Sequence, residues 1–331
     1  MADAGPPLLL YQETVSYFSF CVRMGLAEKN LKYKKCPVNF FNLENLEPWY
    51  MRLNPFGLVP TLQHGETVVC DSDKILRYLD EAFPETTCLC PDESTDEGHM
   101  CGYYRRLNDK IDIRMITLIA PMFPRTTQVT PRNPRFSETN AKHMKAKRDH
   151  AATLCERYAN IFPDLAEVYL EKKNSELKEL PGEEEVQMVL RVCEDVLTKF
   201  QEELARKSEN TQDVKEQWLC GKRFTSADIY WAATLHRLEE LGYDKRFWAD
   251  GQRPHIESYY EHMRSRVCFK KSEPSTCISW IGEMKQKLPW ELAIGATVVA
   301  VCVFYTFIKS RRNVECFPSK CVEEKIWVWK E

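Results

Sequence analysis

Apolar and polar residues follow two different spacings along residues 1–85. The run PLLLY predicts a buried strand, and SFCVRMGLAEKNL carries apolar residues at helical spacing, with Lys29 expected on the outside. The same patterns predict a strand in KYKKCPVNF, a short helix in EPWYMRLNP, a hairpin in LVPTLQHGETVVCDS and a helix over 72–82. The resulting order βαβαββα is that of a thioredoxin-like α/β domain.

The pattern over residues 98–272 is helical. The segment EEVQMVLRVCEDVLTKFQEELARK places its apolar residues on a single stripe, which is typical of a helix packed in the core of an α-helical domain. Further along, Thr225 and Asp228 have the spacing of a capping box, and Phe224 and Ile229 are placed for the hydrophobic staple beside it. We therefore predict an all-α C-terminal domain.

A long insertion, about 121–185, interrupts this second domain. Its basic part, 125–148, contains seven basic residues and a single acidic one, Glu138. Early prolines predict a loop, and the charges at i,i+3 and i,i+4 that follow predict one long, largely solvated helix. The insertion is either a solvated arm without a partner or a docking surface for an acidic protein partner. Aromatic residues are too sparse to favour single-stranded nucleic acid.

A second change of composition occurs at residues 292–308, which include no charged residue. Seventeen helical residues would extend roughly 26 Å, close to the thickness of the bilayer core, which is about 30 Å. Trp290 and Tyr305 suit the two interfaces, and basic residues follow from Lys309. We predict a linker over 273–291 and a transmembrane helix at 292–308.

This position predicts a tail anchor with a short tail, 309–331, across the membrane. A folded, charged domain is hard to translocate, so the bulk of the protein is expected to face the cytosol. The span is short and flanked by basic residues, which favours the mitochondrial outer membrane. A cytoplasmic or peroxisomal pool is compatible with the same sequence.

Charge and cysteine content narrow the function classes. The formal net charge of −3 gives no indication of nucleic-acid binding. The chain has 14 cysteines without a CxxC pair, which favours free thiols in a reducing compartment. Cys88, Cys90, His99 and Cys101 are close in sequence, but their spacing matches no standard zinc finger. We therefore expect no metal.

One dipeptide is unusual for a strand. Val59-Pro60 places proline at the start of a predicted central strand, where it removes a donor from the ladder. A cis bond would resolve this by turning the preceding backbone toward a ligand. We predict a cis peptide bond here, with an ordinary trans edge proline as the alternative.

Two motifs resemble known families. NPFGLVPTL with DSDKILRYLDE resembles the glutathione-binding half of cytosolic glutathione transferases, and WLCGKRFTSADIYWAATLHRLEELGY resembles the signature helix of their second domain. Together with VRMGLAEKNL, EPWYMRLN, PDLAEVYLEKK and RPHIESYYEHM, these segments are more narrowly similar to the ganglioside-induced differentiation-associated protein family. The resemblance covers most of the chain. It implies the glutathione-transferase fold with a tail anchor, and it is consistent with a homodimer.

The resemblance implies glutathione as the cofactor and assigns candidate residues to it. A hydroxyl near the first helix would stabilise the thiolate, with Ser16 as first candidate and Ser19 or Tyr11 as alternatives. The backbone at Val59 and Pro60 would receive the peptide.

At the next helix, Asp71 would take the γ-glutamyl ammonium, and Ser72 with the helix amides would take the carboxylate. Alternatively, Asp71 or Ser72 serves only as the cap of that helix.

Two functions follow from the resemblance. In the first, the transferase-like module is a sensor or adaptor at the mitochondrial surface, with a role in mitochondrial network shape, fission and redox balance. In the second, it is a membrane-tethered glutathione transferase that conjugates apolar electrophiles. Leu58 stands where transferases often carry Lys or Gln, so catalytic activity is not assured by the resemblance.

Overall fold

A computed structural model describes residues 6–119, 138–176, 182–209 and 218–273 of the protein. Its N-terminal half is a mixed four-stranded sheet with strand order β2-β1-β3-β4, in which β1 pairs in parallel with β2 and antiparallel with β3. The elements follow the predicted order: β1 Leu8–Gln12, α1 Tyr17–Glu28, β2 Tyr33–Pro37, α2 Pro48–Leu53, β3 Thr61–His64, β4 Thr67–Cys70 and α3 Ser72–Ala82.

The sheet is covered on both faces. Successive side chains of β1 point to opposite faces, so Leu8 and Leu10 are buried against α1 and α3 while Tyr11 packs on the side of α2. Contrary to prediction, Lys29 at the end of α1 is buried, with Nζ 2.7 Å from a carboxylate oxygen of Asp80 in α3. A partner from another helix outweighs the local pattern at this position.

The second half is helical, as predicted. Its helices are α4 Asp96–Asn108, α5 Ile113–Ile119, α6 Glu138–Ile161, α7 Ala166–Glu176, α8 Glu183–Glu209, α9 Ser226–Glu240, α10 Asp244–Phe247, α11 Pro254–Ser265 and α12 Val267–Ser272. The apolar stripe of α8 is buried, and α9 runs through the centre of this domain. The predicted capping box is present: the Thr225 amide donates to Asp228 Oδ2 at 2.9 Å.

The insertion differs from its prediction. The prediction of one long, solvated helix is wrong, because the chain breaks at Pro163 into two helices, α6 and α7. The 3₁₀ turn Pro163–Leu165 joins them. The residue before a proline is driven out of the helical region, and Phe162 has φ −119° and ψ 85°. The two helices pack on each other and on the N-terminal half. Their shared buried cluster consists of Leu43, Leu46, Met51, Ala151, Cys155, Leu165 and Tyr169.

Two further predictions fall elsewhere in the chain. The structure does not describe residues 274–331, which contain the linker, the apolar run at 292–308 and the tail. Residues 120–137, in the first part of the basic insertion, also lie outside the described residues. Within the four described segments, none of the helices combines the length and the apolar character needed to cross a membrane.

Candidate functional site

Strand register brings three connections to one end of the sheet. Tyr11 in β1 is opposite Thr61 in β3, and Thr61 is opposite Cys70 in β4. The chain enters or leaves the sheet beside this row in three places: after β1 toward α1, just before β3, and just after β4 toward α3. These connections carry the first-choice candidates for the thiolate, the peptide backbone and the γ-glutamyl group, so the fold places all three at one edge.

Val59 and Pro60, here termed the cysteinyl side, form the first of these groups. The Val59-Pro60 bond is cis, as predicted. The Leu58 carbonyl accepts hydrogen bonds from the Tyr50 hydroxyl at 2.6 Å and from Asn54 Nδ2 at 2.8 Å. No backbone hydrogen bond to another described residue involves Val59. The backbone is therefore held firmly on one flank and free on the other, as binding an extended peptide requires.

The three candidate hydroxyls lie in different surroundings. Ser16 is the N-cap of α1, and its Oγ accepts from the Ser19 amide at 3.3 Å, which leaves the hydroxyl proton to donate. Ser19 is fully buried, and its Oγ has no hydrogen-bond partner within the described part of the chain. Tyr11 donates to Gln63 Oε1 at 3.0 Å on the opposite face of the sheet from α1. Ser16 alone combines partial exposure with the amides of a helix N-terminus.

Two buried arginines that the pattern does not identify hold the connection before α1. Arg23 donates to the Thr14 carbonyl and to Gln12 Oε1, each at 3.0 Å. Arg237, from α9, donates to the Val15 carbonyl. Burial lowers the pKa of Arg23 to about 10, so the guanidinium remains charged at neutral pH. Arg23 is the one basic residue of the largely apolar helix α1, and this is the sequence signal for its role.

Asp71 and Ser72, here termed the γ-glutamyl side, begin α3. Asp71 is exposed and has φ 82°, a left-handed backbone that is costly for a residue with a side chain. Its Oδ1 accepts from the amides of Asp73 at 3.0 Å and Lys74 at 3.2 Å. Asp71 therefore caps the helix, which is one of the two roles predicted for it. The cap uses the amides of Asp73 and Lys74 and not the backbone amide of Ser72, which lies at the helix start.

Ser72 is buried beside the helical domain. The Tyr230 hydroxyl, from α9, donates to Ser72 Oγ at 2.7 Å. Arg105, from α4, lies 3.3 Å from the centroid of the Tyr230 ring and 3.0 Å from an oxygen of Asp73. Residues far apart in sequence thus complete the γ-glutamyl side, and spacing along the chain offers no signal for them.

The cysteine beside this edge favours its protonated form. Cys70 adjoins Asp71, and burial raises the pKa of its thiol, with its Sγ 3.9 Å from the Leu53 carbonyl oxygen. A raised pKa disfavours the reactive thiolate. Among the described residues, no three or more His, Cys, Asp or Glu side chains are grouped so as to hold a metal ion.

Comparison with known proteins agrees with this architecture. A family model described as Glutathione S-transferase, N-terminal domain, matches residues 15–82, and one described as Glutathione S-transferase, C-terminal domain, matches residues 111–266. The glutathione transferase F7 of Populus trichocarpa is similar with a TM-score of 0.53 at 20% identity, over 80% of this chain and 97% of that one. The β-etherase LigF of Sphingobium sp. strain SYK-6 gives 0.57 at 20% identity, over 80% and 98%. At such identities the likeness shows the fold alone.

Comparison of amino-acid sequences identifies a narrower family than comparison of structures does. Tetrachloro-p-hydroquinone reductive dehalogenase of Sphingobium chlorophenolicum is 25% identical over 80% of this chain and 95% of that protein. Ganglioside-induced differentiation-associated protein 1-like 1 of Homo sapiens is 31% identical over 277 residues, which are 80% of this chain and 73% of that protein. The chain therefore belongs to the ganglioside-induced differentiation-associated protein family and has the two-domain fold of glutathione transferases.

Proposed function

We propose that the protein is a glutathione-binding, transferase-like module that acts as a sensor or adaptor. The observation that carries this proposal is the unpaired backbone of Val59 beside the cis proline, at the edge that also holds Ser16 and Ser72. An extended tripeptide with a thiol and a terminal carboxylate matches this set of groups. Family membership supports the same ligand.

The chemistry favours binding over rapid turnover. A thiolate at this edge would be stabilised by the Ser16 hydroxyl and the amides of α1, because Ser19 is sealed in the core and Tyr11 bonds Gln63. Ser16 also serves as the cap of α1, which fixes its position. A hydroxyl with a helix terminus can stabilise a thiolate, but Leu58 stands where transferases often carry Lys or Gln, which suits a sensor that reports glutathione.

We further propose that the protein is anchored in the mitochondrial outer membrane with its bulk facing the cytosol. The uncharged run at 292–308 and its basic flank support this location. A role in mitochondrial network shape, fission and redox balance is what membership of the family suggests. The basic stretch 125–148 would then meet an acidic protein partner, and two copies would form a homodimer.

The glutathione site can be tested directly on the full-length chain purified in mild detergent. We expect retention on immobilised glutathione, elution by free reduced glutathione, and only weak conjugation of a generic aromatic electrophile. The Ser16→Ala variant should still be retained, since the peptide backbone is held elsewhere. Failure of the wild-type chain to be retained, with its helical content intact, would contradict glutathione binding.

The anchor requires a separate experiment in cells. A fluorescent fusion lacking 292–331 should be released from the organelle, whereas a fusion lacking only 313–331 should stay on it. Continued organelle staining without 292–308 would contradict the anchor and leave the glutathione proposal unaffected.

One observation supports conjugation of apolar electrophiles as the second candidate function. Val15 and Leu58, which flank the thiol and cysteinyl groups in sequence, are 43% and 40% exposed, and Phe56 is 69% exposed. Exposed apolar side chains at the mouth of a site can bind an apolar substrate. Rapid turnover that falls sharply in Ser16→Ala would favour this enzyme over the sensor.

A further inference from the structure

A buried tyrosine from the helical domain contacts the γ-glutamyl side. Tyr230 lies in the first turns of α9, and its hydroxyl is 2.7 Å from Ser72 Oγ at the start of α3. Both residues are at most 3% exposed. Burial raises the pKa of Tyr230 well above its ordinary value, so the phenol remains a protonated donor at neutral pH.

The direction of this bond decides what Ser72 can do. A serine hydroxyl has one proton to donate and two lone pairs. Because Tyr230 donates to Ser72 Oγ, one lone pair is occupied, while the Ser72 proton has no acceptor among the described residues. A hydroxyl already engaged as an acceptor is also a stronger donor, since hydrogen bonds in a chain polarise one another. Ser72 is therefore prepared to donate to an anion.

The charges around Ser72 also favour an anion at this position. Asp73, the second residue of α3, places a carboxylate beside a site that should attract an anion. Two cations neutralise it: Arg105 lies 3.0 Å from Oδ1 and Arg77 lies 3.0 Å from Oδ2. Arg105 is also stacked 3.3 Å from the Tyr230 ring centroid, so one side chain positions the tyrosine and balances the aspartate.

We propose that Tyr230 is a positioning residue for glutathione specificity: its hydroxyl orients Ser72 so that the Ser72 proton points at the α-carboxylate of the γ-glutamyl group. Arg105 holds the Tyr230 ring in place. This inference rests on the proposed glutathione function. It makes the helical domain responsible for distinguishing glutathione from thiol peptides that lack the γ-glutamyl residue.

The test compares two thiol ligands by isothermal titration calorimetry on the full-length chain in detergent: reduced glutathione and the dipeptide cysteinylglycine. Tyr230→Phe should weaken glutathione binding by about threefold to tenfold, the range of one ordinary hydrogen bond. Cysteinylglycine binding should not change. Tyr259→Phe is the matched control, because that buried tyrosine donates 3.0 Å to Asp228 Oδ1 and not to α3. It should bind both ligands as the wild type does.

A double-mutant cycle makes the inference sharper. In a Ser72→Ala background, Tyr230→Phe should cause no further loss of glutathione affinity. Equal glutathione affinity in Tyr230→Phe and wild type, or an equal loss for both ligands, would overturn the positioning role while leaving glutathione binding established. Absence of glutathione binding to the wild type would overturn the function itself and this inference with it.

Discussion

The cysteinyl side and the γ-glutamyl side of the candidate site are held by different parts of the chain. Ser72 is held by Tyr230 from α9, within the two-domain fold that this chain shares with glutathione transferases. The backbone before Pro60 is held by Tyr50 and Asn54 of the α2 region. That region is in turn covered by the insertion, because the Tyr169 hydroxyl from α7 donates to the Leu46 carbonyl at 2.8 Å.

This difference assigns a structural role to the insertion. Tyr158 in α6 donates to Glu47 Oε1 at 3.1 Å, Arg52 in α2 lies 2.9 Å from Asp164, and Lys172 reaches the Phe56 carbonyl at 3.3 Å. The insertion therefore supports the α2 region, which leads along the chain to the cysteinyl side. The stability of the α2 region is therefore expected to depend on α6 and α7.

The largest effect is expected at the C-terminal end of α3, the helix that begins at the γ-glutamyl side. Asp80 accepts from Lys29 Nζ at 2.7 Å and from the amides of Leu89 at 2.9 Å and Cys90 at 2.6 Å. Asp80→Ala would leave the buried Lys29 ammonium with the Thr87 carbonyl but without its carboxylate, at a cost of about 3–5 kcal/mol. Urea unfolding should show this loss, and the exposed neighbour variant Glu81→Ala should change stability by less than about 0.5 kcal/mol. Equal stabilities of the two variants would contradict the role of Asp80.

The contrast between the two sides also shows which features the sequence could predict and which it could not. The order of strands and helices, the cis proline and the capping box at Thr225 follow from local patterns, and the structure has them. The local pattern places Lys29 on the outside and does not identify Tyr230, because their partners lie 51 and 158 positions away, respectively. Packing of the insertion depends on contacts of the same long-range kind, although Pro163 was a visible signal for its break.

A second substitution addresses the cysteinyl side. Asn54 Nδ2 donates to the Leu58 carbonyl and to Thr61 Oγ1, each at 2.8 Å, and its Oδ1 accepts from the Phe56 amide. Asn54→Ala removes all three bonds at a buried position and should cost about 2–4 kcal/mol. Asn54→Asp keeps the acceptor but turns a carboxylate oxygen toward the Leu58 carbonyl at a buried position, so it should lose at least as much. Glutathione affinity should fall in parallel, measured by calorimetry; an unchanged affinity would show that this segment is not part of the site.

A milder change tests the support from the insertion. Tyr169→Phe keeps the buried ring but leaves the Leu46 carbonyl without its donor, which should cost about 1–2 kcal/mol. Hydrogen exchange should rise over 44–58 and stay constant over 72–82. The matched control is Tyr158→Phe, whose hydroxyl bonds a carboxylate near the surface, and it should cost less. Exchange unchanged in Tyr169→Phe would mean that α7 does not stabilise the α2 region.

The smallest effect concerns Cys70, between the two sides. Burial raises the pKa of its thiol, so at pH 8 a smaller fraction is thiolate than in the unfolded chain. Alkylation of Cys70 by iodoacetamide, followed by peptide mass spectrometry, should therefore be several-fold slower in the native protein than in urea, and it should accelerate as the pH rises above 9. Faster alkylation in the native state would indicate an activated thiol and a redox role.

Hydrogen–deuterium exchange of the full-length chain, with and without reduced glutathione, tests most directly whether the two sides act as one site. Bound glutathione should protect the backbone amides around Val59 and those at the start of α3 together, at the same glutathione concentration. Oxidised or cysteine-free analogues should protect less. Protection of only one segment, or of neither, at saturating glutathione would contradict the account.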